Sequence, residues 1–255
     1  MKNHFIIGYA GNKRQECEDI YSLCKLDGIT TIVEPFCGSC AFSYYLSIKH
    51  PKKFKYILID NSKHLIKLLN IMKDKNQYDE LRQKVNEIIP TVKDSKPEYL
   101  KFINNKTFEG WMIANKYYTI RSGLFPINGA RSWKPLEETY PIIEFLRNED
   151  VEIIEGNGKE YIEKFKDDTE KLIFLDPPYL QTCNDFYEDK DCNIYEYLYL
   201  NNPINFKAYF VFALENIWIN KLLFKDLLDK NNHIIKDKQY QTSKKKTSHF
   251  YFTNK

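Results

Sequence analysis

The sequence predicts an α/β fold built on a doubly wound, mostly parallel sheet that is interrupted by one mostly helical insertion. Three observations predict it. Short β-branched runs stand just before turn residues and helical patterns, at 30–49 and again at 56–72, which is the signature of βαβ units. That rhythm disappears between about 73 and 141, where charges rise, and it returns from Val151 onward. Parallel strands joined by crossover helices make a sheet covered on both faces. Residues 1–72 and 142–255 are therefore expected to build the sheet, with 73–141 inserted between them.

The elements follow in order. From Phe5 to Lys13 a short apolar run meets the turn-rich G-Y-A-G-N-K, and a helical pattern then ends near Leu26. Thr30–Phe36 (T-T-I-V-E-P-F) is strand-like, and C-G-S-C leads into the helical A-F-S-Y-Y-L-S-I. Tyr56–Ile59 is a buried strand ending at Asp60, followed by the helix H-L-I-K-L-L-N-I-M. In the insertion, Tyr, Asn, Arg and Trp gather between Phe102 and Trp133, with a loop or hairpin at Arg121–Arg131. Val151–Ile154 is a strand, Tyr161–Phe165 a helix, and Leu172–Leu175 and Ala208–Ala213 are strands. The closing S-K-K-K-T-S-H-F-Y-F-T-N-K reads as a hairpin that turns at Lys244–Lys246.

Composition narrows the function. A net charge of +3 gives no global basic field, so any nucleic-acid footprint has to be local. The 19 Tyr and 17 Phe serve mainly as core, although exposed rings can stack on bases. Trp111, Trp133 and Trp218 read as core or hydrophobic anchors. The first apolar run is too short for a signal peptide and no stretch reaches membrane-span length, so an intracellular, cytoplasmic protein is expected. Six cysteines show no framework spacing and five histidines no ligand-like spacing, so no metal is expected despite Cys37-x-x-Cys40.

Two stretches carry chemistry. In E-P-F-C-G-S-C-A-F (34–42), Gly38 stands between a strand and a helix start, where a tight turn lets backbone approach a ligand. Asp60 ends the next strand, placed to accept the hydroxyls of a ribose. The second and third glycines of G-x-G-x-x-G are missing, so a nucleoside without a pyrophosphate fits better and a nucleotide-dependent dehydrogenase is disfavoured. The other stretch is L-I-F-L-D-P-P-Y (172–179), a buried strand that stops on an acid and two prolines. An exocyclic amine of adenine is a poor nucleophile because its lone pair is delocalised into the ring. Asp176 can accept one of its N–H groups and the Pro177 carbonyl the other, favouring the pyramidal, nucleophilic form. Pro177 and Pro178 stiffen the corner and bring no competing N–H. Tyr179 offers a face for an extruded base.

D-P-P-Y, together with E-P-F-C-G-S and the N-terminal Y-A-G-N-K, resembles the Dam-type (D12 class) N6-adenine DNA methyltransferases, in the same order along the chain. The resemblance implies a Rossmann-like methyltransferase sheet with an inserted target-recognition segment. It implies S-adenosylmethionine as cofactor and DNA as partner, duplex favoured, with single strands or RNA served equally by the D-P-P-Y chemistry. By that resemblance Tyr9, Lys13, Glu34, Phe36, Gly38, Asp60, Asn157 and Asp176 line the cofactor site. Arg121, Asn128 and Arg131 fall in R-S-G-L-F-P-I-N-G-A-R, which resembles the family's recognition hairpin, and Lys244, Lys245 and Lys246 are further candidates for phosphate contact. Three positions depart from the family. Cys40 stands where its cofactor turn usually ends in glycine, Asn157 where it often has an acid, and Gly8 where GATC-reading members carry a base-contacting lysine. The last speaks against GATC as the target. The first two keep a second reading in play, a silent paralogue that binds nucleic acid as a partner subunit.

Overall fold

Seven strands form one sheet in the order β3-β2-β1-β4-β5-β7-β6. The structure is a computed structural model that describes residues 5–8, 12–117, 133–178, 194–230, 233–239 and 246–255. The strands are β1 (Thr31–Glu34), β2 (Lys55–Asp60), β3 (Asp150–Glu155), β4 (Lys171–Leu175), β5 (Tyr209–Glu215), β6 (His233–Gln239) and β7 (Lys246–Thr253). β3, β2, β1, β4 and β5 run parallel, and β7 alone is antiparallel to both of its neighbours. This is a Rossmann-like methyltransferase sheet, and its strand order reverses between β1 and β4. In open α/β sheets ligands settle at such a switch point, outside the carboxyl ends of the strands.

The chain divides into two compact units. The larger comprises Lys13–Ile66 and Glu149–Lys255 and contains the whole sheet. Because strand side chains alternate, the sheet has two apolar faces. On one, Val33, Ile57, Ile59, Ile173, Leu175, Phe210, Phe212, Phe250 and Phe252 form a core with Ile162 of α8 (Gly158–Phe165), Leu198 of α9 (Ile194–Asn201) and Leu227 of α11 (Lys225–Lys230). The opposite face carries α1 (Cys17–Ser22) and α2 (Ala41–Lys49), with the Phe42 ring 4.5 Å from that of Phe174. Glu34, Asp60, Asp176 and Glu215 share the strand parity of this second face. The helix α10 (Trp218–Leu223) follows β5.

The smaller unit comprises Met1–Asn12 and Lys67–Asn148, and its boundary falls within α3 (Lys63–Lys73). It holds α4 (Lys75–Val92), α5 (Lys96–Asn104), α6 (Phe108–Tyr117) and α7 (Pro141–Asn148). Asp74 caps α4 by accepting the Gln77 N–H at 3.0 Å, and Ser95 caps α5 through the Glu98 N–H at 3.4 Å. The stretch from 118 to 132 lies outside the described residues, but the chain on either side of it is pinned. Trp133 stacks on Tyr117 at 4.6 Å, and the Tyr117 hydroxyl donates to the Lys134 carbonyl at 2.7 Å. Trp111 likewise stacks on Phe108, as expected of an anchor.

Two expectations are corrected. Trp218 is neither core nor anchor, being 75% exposed on α10. The terminal hairpin pairs β7 with β6, and Lys246 is already a strand residue opposite Gln239 rather than part of the turn. The lysine-rich stretch read as a turn runs into a strand because Lys246 to Thr253 continues the alternation that buries Phe250 and Phe252.

Candidate active site

Each parallel strand delivers a polar residue to the sheet's carboxyl edge. β1 ends at Glu34, β2 at Asp60, β3 at Glu155 and β5 at Glu215, while Asp176 directly follows β4. Strands that are mostly apolar and acidic at the tip bring their carboxyls together beside the switch point, with Glu34 and Glu215 buried and Asp60 and Asp176 partly exposed.

Asp60 is held by two backbone donors. The Gly38 N–H donates to Oδ2 at 3.1 Å and the Ser62 N–H to Oδ1 at 3.0 Å. Gly38 has φ of 47°, a left-handed conformation that glycine adopts at little cost, and this aims its N–H at the acid. Cys40 caps α2 with φ of 53°, also left-handed. That explains why a glycine suits this position, since a side chain here carries strain. The Cys40 side chain is fully buried, with its thiol 3.7 Å from the Gly38 carbonyl. Burial raises the thiols of Cys37 and Cys40 above their ordinary value.

The turn after β3 closes against the turn after β1. Asn157 caps α8, its side chain accepting the Lys159 N–H at 3.0 Å. A Cβ on the next residue, Gly158, would lie 2.5 Å from the Pro35 carbonyl oxygen and 2.8 Å from the Phe36 ring. Only glycine lets these turns approach so closely, and the contact places Phe36 and Asn157 side by side.

At the end of β4, Asp176 is paired with Lys13, whose Nζ lies 2.6 Å from Oδ2. Lys13 is 3% exposed and Asp176 17%. Glu34 is buried nearby, accepting the Ser43 N–H at 2.7 Å. Burial pushes its carboxyl up to about 7; the negative charge of Asp176 adds to this and the Ser43 hydrogen bonds oppose it. Pro178 is tied from the other side, its carbonyl accepting the Tyr195 hydroxyl of α9 at 3.3 Å. Neither Ser43, Ser62 nor Tyr195 is signalled by the sequence motifs, because each acts through one local bond.

The structure thus gathers Lys13, Glu34, Phe36, Gly38, Asp60, Asn157, Asp176, Pro177 and Pro178 at one sheet edge. Residues 9–124 match the D12 class N6 adenine-specific DNA methyltransferase family. The match spans just under half of the chain and contains the Gly38 turn and Asp60. No curated protein matches the chain. The D12 match points to DNA adenine methylation and to DNA as substrate, in keeping with the Rossmann-like methyltransferase sheet. Tyr9, Arg121, Asn128, Arg131, Tyr179, Lys244 and Lys245 lie outside the described residues, and Lys246 is placed by its backbone at the start of β7. Among the described residues no helix is long and apolar enough to cross a membrane.

Proposed function

We propose that this chain transfers the methyl group of S-adenosylmethionine to the N6 amine of an adenine extruded from duplex DNA. The observation that carries this reading is the arrangement of Asp60 and the Asp176-Pro177-Pro178 corner on one sheet edge, with the Gly38 turn between them. S-adenosylmethionine supplies an electrophilic methyl group on a sulfonium. The residues present suit it. A carboxylate offers about four acceptor sites, so Asp60 can hold its two backbone N–H groups and still receive ribose hydroxyls. Phe36 and Asn157 flank the position of the cofactor's adenine. The burial of Cys40 removes its side chain from the open side of the turn, which favours an active enzyme over a silent paralogue.

Asp176 and the Pro177 carbonyl accept the two N–H groups of the target amine, concentrating the lone pair on nitrogen. Lys13 and an amine N–H can share the Asp176 carboxylate on the same count of acceptor sites. Lys13 fixes the carboxylate from one side and Tyr195 ties Pro178 from the other, so the acceptors are preorganised before substrate arrives. Tyr179 provides the stacking face for the extruded base, and Arg121, Asn128, Arg131 and Lys244–Lys246 contact the flanking DNA.

The test is methylation of mixed genomic DNA by the purified protein with labelled S-adenosylmethionine, followed by single-molecule mapping of modified bases. Methyl groups on adenine N6 support the reading, and methyl groups on cytosine N4 alone overturn its choice of base. Calorimetry on Asp60→Ala tests the cofactor site: affinity should fall by on the order of 1.5–3 kcal/mol for a lost bond to a charged acceptor.

A further inference from the structure

Trp218 is the most exposed large hydrophobic residue among those described, at 75%. A large apolar side chain left in water is informative where a buried one is not. Its place in the fold is also informative. β5 lies beside β4 with Phe212 opposite Leu175, and continuing that register sets Glu215 level with Pro178. Neighbouring strands lie about 4.8 Å apart, and Trp218 follows Glu215 by three residues, about 10 Å of chain at most. It therefore emerges from the same edge of the sheet, within about 15 Å of the corner that receives the target amine.

The start of α10 is firmly seated. The Glu215 carbonyl accepts the Asn220 side-chain amide at 3.0 Å and the Ile217 N–H at 2.9 Å, and Asn220 is fully buried. The indole is thus presented from a fixed base. Lys221 stands three residues on, exposed and on the same helix face. Lys246 begins β7 on this same edge of the sheet. An aromatic plane with a cation on the same helix face suits a nucleic-acid strand, because bases stack on rings while phosphates seek lysines.

We propose that Trp218 is a stacking platform for a nucleobase flanking the extruded adenine, with Lys221 neutralising the adjoining phosphate. The proposal rests on the DNA methyltransferase reading above. Every base has a π-face, so the contact supplies affinity rather than sequence choice. Leu222, Tyr199 and Leu200 are also exposed, and Leu222 and Tyr199 line a cavity of about 250 Å³. That surface alone would suit a protein partner, but Trp218 lies where the chain leaves the carboxyl edge, and the neighbouring Lys221 favours nucleic acid.

The experiment compares wild type, Trp218→Phe and Trp218→Ala for binding of fluorescein-labelled single-stranded and duplex oligonucleotides, and follows tryptophan emission as unlabelled oligonucleotide is added. Trp218→Ala should bind oligonucleotide about 5- to 150-fold more weakly, the range expected for a lost base stack, with S-adenosylmethionine affinity unchanged. Trp218→Phe should retain most of the affinity. Oligonucleotide should quench long-wavelength emission in the wild type and not in either variant. Equal affinity in Trp218→Ala and wild type overturns the proposal, and the same result with a change in sedimentation would assign the face to a protein partner. Wild type that methylates DNA while Trp218→Ala binds it normally defeats this inference alone; wild type that neither binds nor methylates DNA defeats the underlying function as well.

Discussion

Lys13 and Asp176 meet as a buried ion pair at 2.6 Å across 163 residues of sequence. One end of the pair lies just before α1 and the other just after β4, so the contact fixes the Asp176-Pro177-Pro178 corner to the start of the sheet-bearing unit. Removing one partner of a buried pair leaves an uncompensated charge, which costs more than the pair contributes. Lys13→Met should therefore destabilise the fold by about 3 kcal/mol in urea unfolding, the lower part of the usual range because Asp176 retains some solvent. The double variant Lys13→Met/Asp176→Asn should recover most of that loss. A double variant no more stable than Lys13→Met would mean that the pair is not the origin of the effect.

Glu34 gives a pH dependence of definite sign. In the unfolded chain its carboxyl ionises near 4.5, whereas in the fold burial holds the proton up to about 7. Between these values the folded state binds the extra proton, so Glu34 makes stability fall as pH rises through that window, and the decline flattens above it. Glu34→Gln should remove this slope and stabilise the protein at pH 8 by on the order of 3 kcal/mol. Thermal unfolding from pH 4 to 8 for both proteins checks it; parallel curves would show that Glu34 ionises normally.

Gly158→Ala tests the contact between the two turns. Alanine would ordinarily be tolerated near a helix start, but here its methyl meets the Pro35 carbonyl at 2.5 Å and the Phe36 ring at 2.8 Å. Overpacking of this kind costs roughly 1–3 kcal/mol and should displace the Pro35–Phe36 turn. S-adenosylmethionine affinity should fall along with stability. Gly28→Ala is the contrast: Gly28 has φ of 74° with nothing within 4 Å, so only backbone strain of about 1–2 kcal/mol is expected, with cofactor binding unaffected. Equal cofactor affinities in the two variants would remove Phe36 from the binding site.

The strands β1 to β5 were legible because each is a β-branched or aromatic run that stops at a turn residue. Helix α9 was not, since I-Y-E-Y-L-Y-L-N carries apolar residues on every side and has no period to read. α10 and α11 are six residues each, too short for one. Lys246 was misread as a turn residue because a lysine at a strand end looks the same in sequence as one in a loop. Asp60 and Asp176 drew attention through their motifs, and the fold brings both to the carboxyl edge of the sheet. That Lys13 faces Asp176 could not be foreseen, because nothing in local sequence encodes a pairing of such range. Trp218 was misread for a related reason: hydrophobicity says what a residue prefers, and only the fold says whether it is granted.

Asp176→Asn bears most directly on the chemistry. Asparagine keeps the size of the side chain and a carbonyl acceptor, but loses the charge that draws on the amine N–H. Charge-assisted hydrogen bonds are roughly twice as strong as neutral ones. The loss is felt most where positive charge develops on the amine nitrogen, in the transition state, so turnover should fall by about 2–4 kcal/mol, or roughly 30- to 1,000-fold. The substitution also breaks the pair with Lys13, so stability must be measured beside activity. Single-turnover methylation at saturating cofactor and DNA, well below the unfolding temperature, separates the two effects. Cofactor affinity should change much less than the rate. A variant that stays folded and methylates as fast as wild type would remove Asp176 from the reaction and leave its pairing with Lys13 as a structural contact only.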